Sequence, residues 1–504
     1  MKKYILNSDW DIIPRNEGVE LVHLVQPELS FTLAYFPNQV QFFTKILHGA
    51  TRKELSTLNN TKIVSTLRAR GVVSYTQITN SPLKTRDYLK LLQHHCVGAG
   101  KILTECHLLP AGHNPLAKLL NVSYSSGFAP ACVPHQSSLS GGWGTDPDPK
   151  LAQIKSIVEG VERYALADYS LTKFNNTSLD DVKDKLLTTA QMCSSEEILN
   201  SAQNLYWQEL HQISGEKTIC APLDFLHHPV NYTELQRPPV TALNISGVAG
   251  HQSINAAITN ATLELCEHEA LMVAWFGNRT TPTIRHTSLP QQSQDMIHAA
   301  EAMGWKIILK DISLDLVPVV MAVGLGPVGK RALTIGSCAA FTSRYATGKA
   351  LSEVFREILL DESSPSEIPG INRENVNDIA SHSYFYAHHK NLKYAQHLWE
   401  NGEEIDATDI LTHTSTPIEE KDECEYIIKH VLKNNCIETY FVNITPEEIR
   451  TQNIQLYIVR VIAPEMARLT VGYGRLPAQT ERFKMLIKTY GTPKEQDTLL
   501  HPFS

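Results

Sequence analysis

The stretch SIVEGVERYALAD (156–168) constrains the fold more than any other in the chain. On a helix of 3.6 residues per turn, Ser156, Glu159, Glu162 and Arg163 fall within about 120° of one another. Ile154, Ile157, Val158, Val161 and Ala165 take the opposite side. Such a helix buries one face and needs an environment for two carboxylates, a hydroxyl and a guanidinium on the other. Gly160 sits in mid-helix, at about 1 kcal/mol relative to Ala, and points to close approach of another element. Alone, the polar face reads as solvated, with an i,i+4 Glu–Arg pair.

The pattern returns twice. NATLELCEHEALMVAWF (260–276) carries Glu264, Glu267 and His268 in the same three positions, with Asn260 one turn upstream. Leu263, Cys266, Leu271 and Trp275 are placed to pack inward. KALSEVFREILL (349–360) offers Glu353, Arg356 and Glu357. Three acidic helix faces in a chain that is 42% hydrophobic and 19% charged need a common purpose. A cation site supplies one, because magnesium takes oxygen ligands, typically one or two carboxylates together with phosphate oxygens. Ser156 and a basic side chain would then touch phosphate. There is no GxxxxGK[ST] and no protein-kinase signature, so a nucleotide site here is of another kind.

Composition narrows the class. A net charge of −8 gives no global basic field for nucleic acid. The longest apolar run, LVPVVMAVGLG (316–326), is too short to span a bilayer and is broken by Pro318 and Gly324. It reads as a core strand. Nine cysteines without a CxxC suggest free thiols in a reducing cytoplasm. The start, MKKYILNSDWD, lacks the apolar region of a secretory signal. HHCVGAGKILTECH (94–107) matches no common zinc spacing and reads as core and turn.

The length of 504 residues suggests two to four domains. Residues 1–80 form a small module. VELVHLV and LSFTLAYF alternate like strands around Pro27; helical segments follow, beginning with Phe42, Phe43, Ile46 and Leu47 and ending at Gly71. VVSYTQI closes the module as a strand, which gives a winged-helix-like outline. Residues 81–135 are a linking segment, part of the main domain. SSLSGGWGTDPDPK (137–150) reads as a loop opening onto the first acidic helix, and NISGVAGHQSINAA (244–257) as a glycine-bearing loop feeding the second. From 136 to 504, helical patterns alternate with β-rich runs: WKIILKDI (305–312), LVPVVMAVG, IETYFVNI (437–444) and LYIVRVIAP (456–464). The layout is α+β or α/β.

These motifs resemble a known family. SIVEGVERY resembles the SxxExxER motif of the YcaO family, NATLELCEHEA its second motif, Q-x(2–3)-ExxER, and ALSEVFRE its third, ExxQ. GGWGT and GVAGHQSINAAI fit the glycine-rich stretches before the first two. The resemblance covers about residues 136–504 and implies the YcaO fold. It also implies ATP and Mg2+ bound between the motif helices and phosphorylation of backbone amide oxygen in a peptide. In the azoline-forming branch a Cys, Ser or Thr side chain adds to the preceding carbonyl. The oxyanion takes the γ-phosphoryl group, phosphate leaves, and a thiazoline or oxazoline remains.

By this resemblance Glu159, Glu162, Glu264, Glu267 and Glu353 are magnesium or magnesium-water ligands. Ser156 and Arg163 contact phosphate or order the carboxylates, and Asn260, His268 and Arg356 occupy nucleotide-binding positions. Three of these depart from the family pattern: Asn260 replaces Gln, His268 replaces Arg, and Arg356 replaces Gln. The family's frequent GKG reads GWG, with Trp143 in the Lys position. The ending LLHPFS (499–504) matches, through His501, Pro502 and Phe503, part of a catalytic tail typical of the azoline branch.

Residues 1–80 resemble the winged-helix element that binds a precursor's leader peptide as an added strand. A DNA-binding winged helix has the same outline, but residues 41–75 carry only six Lys and Arg, which form no stripe. The expected protein is a cytoplasmic cyclodehydratase of ribosomally made peptides. Its expected partner is a precursor peptide, with no nucleic acid and no membrane. A homodimer, a ThiF-like partner and a flavin-dependent dehydrogenase are compatible with that reading. Two alternatives stay open: a catalytically degenerate YcaO subunit serving as a peptide-binding scaffold, and a thioamide- or amidine-forming YcaO enzyme.

Overall fold

The computed structural model describes residues 85–110, 115–133, 140–176, 179–182, 185–202, 205–213, 215, 217–363, 370–400, 402–410, 420–452, 454–492 and 500–503. Within 1–84 it describes residue 67 and six short strands. The chain divides into two units, residues 1–84 with 451–453, and the remainder.

In the first unit, β1 (Lys2–Leu6) pairs antiparallel with β5 (Ala50–Thr51) on one side and β6 (Val73–Gln77) on the other. A second antiparallel sheet joins β2 (Trp10–Arg15), β3 (Gly18–His23) and β4 (Phe31–Ala34). The strands expected from VELVHLV, LSFTLAYF and VVSYTQI are present. Of the helical segments expected between residues 42 and 71, only Leu67 is described, helical and buried, and the rest lies outside the described residues.

The second unit holds three sheets. The first orders β7 (Glu105–Leu108), β8 (Asn121–Gly127) and β9 (Ser140–Asp146) as an antiparallel meander. The second runs β10 (Asn175–Asn176), β11 (Tyr206–Gln212), β19 (Tyr440–Asn443), β20 (Tyr457–Ile462), β13 (Val248–His251), with β12 (Thr218–Pro222) also paired to β11. The third orders β17 (Leu333–Ala339), β16 (Val319–Leu325), β15 (Lys306–Asp311), β14 (Thr283–Ile284) and β18 (Glu404–Ile405). The helices that matter are α1 (Thr85–Cys96), α2 (Pro149–Ala167), α3 (Ile254–Phe276), α4 (Gln291–Ala302), α5 (Ser343–Ser363), α6 (Ile379–Tyr386) and α7 (Glu481–Tyr490).

The apolar run 316–326 becomes β16. Val319, Met321 and Val323 face one core with α3, while Val320 and Ala322 face a second core with α4 and α5. A strand covered on both faces has no reason to alternate with polar residues, which explains the unbroken apolar sequence. HHCVGAGKILTECH is core and turn, as expected: α1 ends at Cys96, a turn follows, and β7 begins at Glu105.

Two expectations need correction. The segment 137–150, read as a loop, contains β9, and 244–257 contains β13. The glycines that suggested loops instead permit close packing. A Cβ at Gly144 would land on the Ala152 carbonyl, and one at Gly142 on the Ser156 and Gly160 backbone, so β9 lies directly against α2. Gly160 behaves as its mid-helix position suggested, since a Cβ there would meet Ser125 Oγ at 2.6 Å and Leu103 Cδ2 at 2.8 Å. α2 starts at an Asp148 cap, whose side chain accepts the Lys150 N–H, with Pro149 in the first turn.

Gly144→Ala should therefore destabilise the protein by about 2 kcal/mol or more in urea unfolding, because backbone cannot yield as a side chain can. Gly348→Ala, in α5 with open space where the Cβ would go, should stabilise by roughly 0.5–1 kcal/mol. Equal effects at the two sites would contradict the close strand–helix contact.

Candidate functional site

The five carboxylates share one local device. Each accepts a backbone N–H from a strand. Glu159 Oε2 takes the Trp143 amide of β9 at 2.8 Å, and Glu162 Oε1 the Gly250 amide of β13 at 2.5 Å. Glu264 Oε2 takes the Val248 amide of β13 at 3.2 Å. Glu267 takes the Ala339 amide of β17 at 3.3 Å and the Ser337 hydroxyl at 2.6 Å, and Glu353 takes the Ser337 amide at 3.2 Å. Helices α2, α3 and α5 thus present their acidic faces to three strands, β9, β13 and β17, one from each sheet of the second unit.

The charges feel one another. Burial first, then Glu159 and Glu264, pushes the Glu162 carboxyl up to about 8. Burial and Glu267 push Glu264 up to about 8, with Lys349 opposing. Burial raises Glu353 to about 7, against the pull of Lys349 and with Glu267 adding to the rise. Glu162, Glu264, Glu267 and Glu353 are half-buried, so solvent still reaches them.

Cations frame the group. Arg163 pairs with Glu159 at 2.8 Å, its side chain 54% exposed. Arg356 bonds Glu357 at 3.1 Å and also interacts with Glu353 and Glu159. Lys349, not among the residues expected from sequence, has its charged form favoured by the neighbouring Glu353 and Glu267 carboxylates against the cost of burial. Its signal was available: it lies one turn before Glu353 on the same helix. Arg460, also unforeseen, is fully buried behind the group. It donates to the Leu226 and Asn244 carbonyls and lies within electrostatic reach of Glu264.

Other expected residues sit elsewhere. Ser156 is fully buried, its hydroxyl 2.9 Å from Ser123 Oγ and from the Gln153 carbonyl, and it braces α2 against β8 instead of facing the cleft. Asn260 is exposed on α3, one turn before Glu264. His268 is bonded through Nδ1 to Ser246 Oγ at 2.8 Å, and burial lowers its pKa, with Glu267 opposing.

The tail is a packing element. Phe503 meets Trp275 of α3 edge-on, with centroids 6.4 Å apart, and the Tyr386 hydroxyl of α6 donates to the Leu500 carbonyl at 2.6 Å. His501 Nε2 donates to the Thr470 carbonyl, and its Nδ1 accepts the Phe503 amide. His501, Pro502 and Phe503 are all buried. Burial, with nearby His382, drives the His501 pKa down to about 3. With both ring nitrogens engaged, His501 holds the tail in place and has no nitrogen left for proton transfer to a substrate.

Oxygen-rich, half-buried carboxylates with raised pKa suit a hard divalent cation. Among the described residues, no three His, Cys, Asp or Glu side chains stand close enough to hold one metal by themselves. Magnesium fits such a donor set when water and phosphate oxygens complete its octahedron.

With metal absent, the folded protein retains protons on Glu162 and Glu264 up to about pH 8, whereas the unfolded chain releases them near the ordinary 4.5. Their contribution to stability is full below 4.5 and is lost as pH rises through 8. Chelator-treated protein should lose thermal stability across that window. Glu264→Gln should flatten the slope by at most about 1.4 kcal/mol per pH unit. An unchanged slope would show that neither burial nor Glu267 raises the Glu264 pKa in the folded protein.

No curated protein matches the chain. A solved heterocyclase in complex with substrate and cofactor matches with TM-score 0.60 and 16% identity, over 90% of this chain and 60% of its own. The chain thus spans less than two thirds of that relative. YcaO from Methanopyrus kandleri, bound with AMPPCP and Mg2+, matches with TM-score 0.57 and 14% identity, over 82% of this chain and 96% of its own. Both likenesses show the fold. The family model described as YcaO cyclodehydratase, ATP- and Mg2+-binding, matches residues 143–467, a span that contains all five carboxylates, and the chain belongs to the YcaO family.

Proposed function

We propose that the protein is an ATP- and magnesium-dependent peptide cyclodehydratase that closes thiazoline or oxazoline rings in a ribosomally made peptide. One observation supports this reading: carboxylates on three separate helices are each tethered to a strand amide and lie near enough to shift one another's titration. Amide oxygen is a poor leaving group, and phosphorylation makes it a good one. Bound magnesium would neutralise charge developing between the β- and γ-phosphates.

The chain's own residues supply position and field. Strand amides hold one oxygen of each carboxylate and so limit the rotamers it must search; Arg163 takes the second oxygen of Glu159, and the Ser337 hydroxyl takes the second oxygen of Glu267. Arg163, Lys349 and Arg356 bring positive charge to the rim, where a triphosphate needs it. The docked tail and the Glu269–Arg482–Asp315 ion group lock α3 from behind. In the first unit, the outer strands of the two small sheets offer edges to which a leader peptide could add. Free cysteines agree with a cytoplasmic setting. Among the described residues, no helix is long and apolar enough to cross a membrane.

A scaffold role is the second reading, and His268 favours it: burial discourages its charged form at a position where the family motif carries arginine. Incubation with MgATP and a Cys/Ser/Thr-rich peptide encoded nearby separates the two. Cyclisation removes the mass of one water per ring and releases phosphate. Glu159→Ala and Glu264→Ala should each cut phosphate release by roughly 100-fold while circular dichroism stays unchanged. Undiminished release in either variant would refute the site, and peptide retention without any mass change would favour the scaffold.

A further inference from the structure

The face of the β7–β8–β9 sheet opposite α2 carries an aromatic row. His107, Tyr124 and Trp143 are direct cross-strand partners: His107 is in register with Tyr124, and Tyr124 with Trp143. Their ring centroids are 5.7 and 5.8 Å apart, with interplanar angles of 45° and 44°. Tilted in this way, the rings do not close on one another's faces. Each keeps area for a further flat group.

The alternation of the strands explains the row. Ser123, Ser125, Gly142 and Gly144 turn towards α2, so Tyr124 and Trp143 turn away from it. Exposure is graded along the row. His107 is exposed at the sheet edge, with Nε2 3.3 Å from Glu105; Tyr124 is half-buried; Trp143 is half-buried against the core that includes α5.

The inner end of the row lies on β9, the outer strand of this sheet, and the backbone amide of Trp143 there holds Glu159. A ligand lying along the rings would therefore end at the strand that holds Glu159. The row is as long as about three to four residues of extended peptide, longer than one purine needs. It also carries no fixed charge at its centre.

We propose that His107, Tyr124 and Trp143 form a platform for the peptide substrate, on which an aromatic side chain next to the reacting Cys, Ser or Thr stacks. This rests on the peptide-modifying role argued above. The platform would make neighbouring sequence, as well as the reacting residue, a determinant of which amide enters the cleft.

The test uses the full chain and two labelled pentapeptides, Gly-Cys-Trp-Gly-Ser and Gly-Cys-Ala-Gly-Ser, with binding followed by fluorescence anisotropy. The native protein should prefer the Trp peptide by about 3- to 10-fold, the range expected for one aromatic contact. Tyr124→Ala should reduce the preference below about twofold, and Tyr124→Phe should retain it. Binding of a non-hydrolysable ATP analogue with Mg2+, measured on the same samples, reports an intact fold and should be equal in all three proteins. A preference that survives Tyr124→Ala, or no preference in the native protein, overturns the platform. Loss of analogue binding in Tyr124→Ala alone also overturns it, since the row would then serve the nucleobase. If no protein binds the analogue while the Trp preference behaves as expected, the ATP-dependent reading fails and the platform stands.

Discussion

Carboxylates on helices are tied to amides on strands, and the site depends on that pairing. Glu159, Glu162, Glu264, Glu267 and Glu353 come from three helices far apart in sequence, yet each is fixed by an N–H of β9, β13 or β17. Like charges do not gather of their own accord. At separations where Glu162 responds to Glu159 and Glu264, mutual repulsion would otherwise splay the side chains towards water. Amide donors oppose that tendency, and the glycine contacts of β9 with α2 bring the donor strand close enough to act.

The same pairing explains how much could be read from sequence. The acidic faces were legible because three- and four-residue spacing shows directly in the string, as with Glu159, Glu162 and Arg163. The strands that hold them were not. Gly142, Gly144, Gly247 and Gly250 look like turn formers, and nothing local separates a glycine that frees the backbone from one that makes room for a helix. Ser156 was misplaced for a related reason: the helical wheel groups it with Glu159, but the close approach of β8 and β9 buries that part of the wheel. Lys349 lay in plain view one turn before Glu353, and Arg460 could not be found because its role arises across β20 and β13, where it stands opposite Val248.

Behind the cleft, α3 is held more firmly than its apolar packing alone requires. Glu269 is almost fully buried, and Arg482 of α7 binds it and Asp315 together. Removing one member would strand a buried charge, so the group specifies the register of α3 against α7. The tail adds a second fixture through Phe503 on Trp275 and His501 on Thr470. His382 completes it: its Nε2 accepts the Gly472 amide, so its Nδ1 must donate to the His501 carbonyl. Each of these fixtures acts on α3 or on the loop beside it, and α3 carries Glu264, Glu267 and His268.

His268 bears most directly on whether such a cleft can work. Burial disfavours its charged form, and Ser246 engages Nδ1, so it brings a neutral ring where an arginine would bring a guanidinium. Positive charge returns from another direction: Arg356 and Lys349 on α5 both interact with Glu353. Arg163, Arg356 and Lys349 then face five carboxylates, and burial, with like charge adding to it, lets Glu162, Glu264 and Glu353 retain protons near neutrality. Binding a divalent ion would displace those protons and satisfy the remaining negative charge, so affinity for the metal should draw on the same repulsion that the amides hold in check. The substitution at His268 therefore shifts the source of positive charge from α3 to α5 without dismantling the acidic group itself.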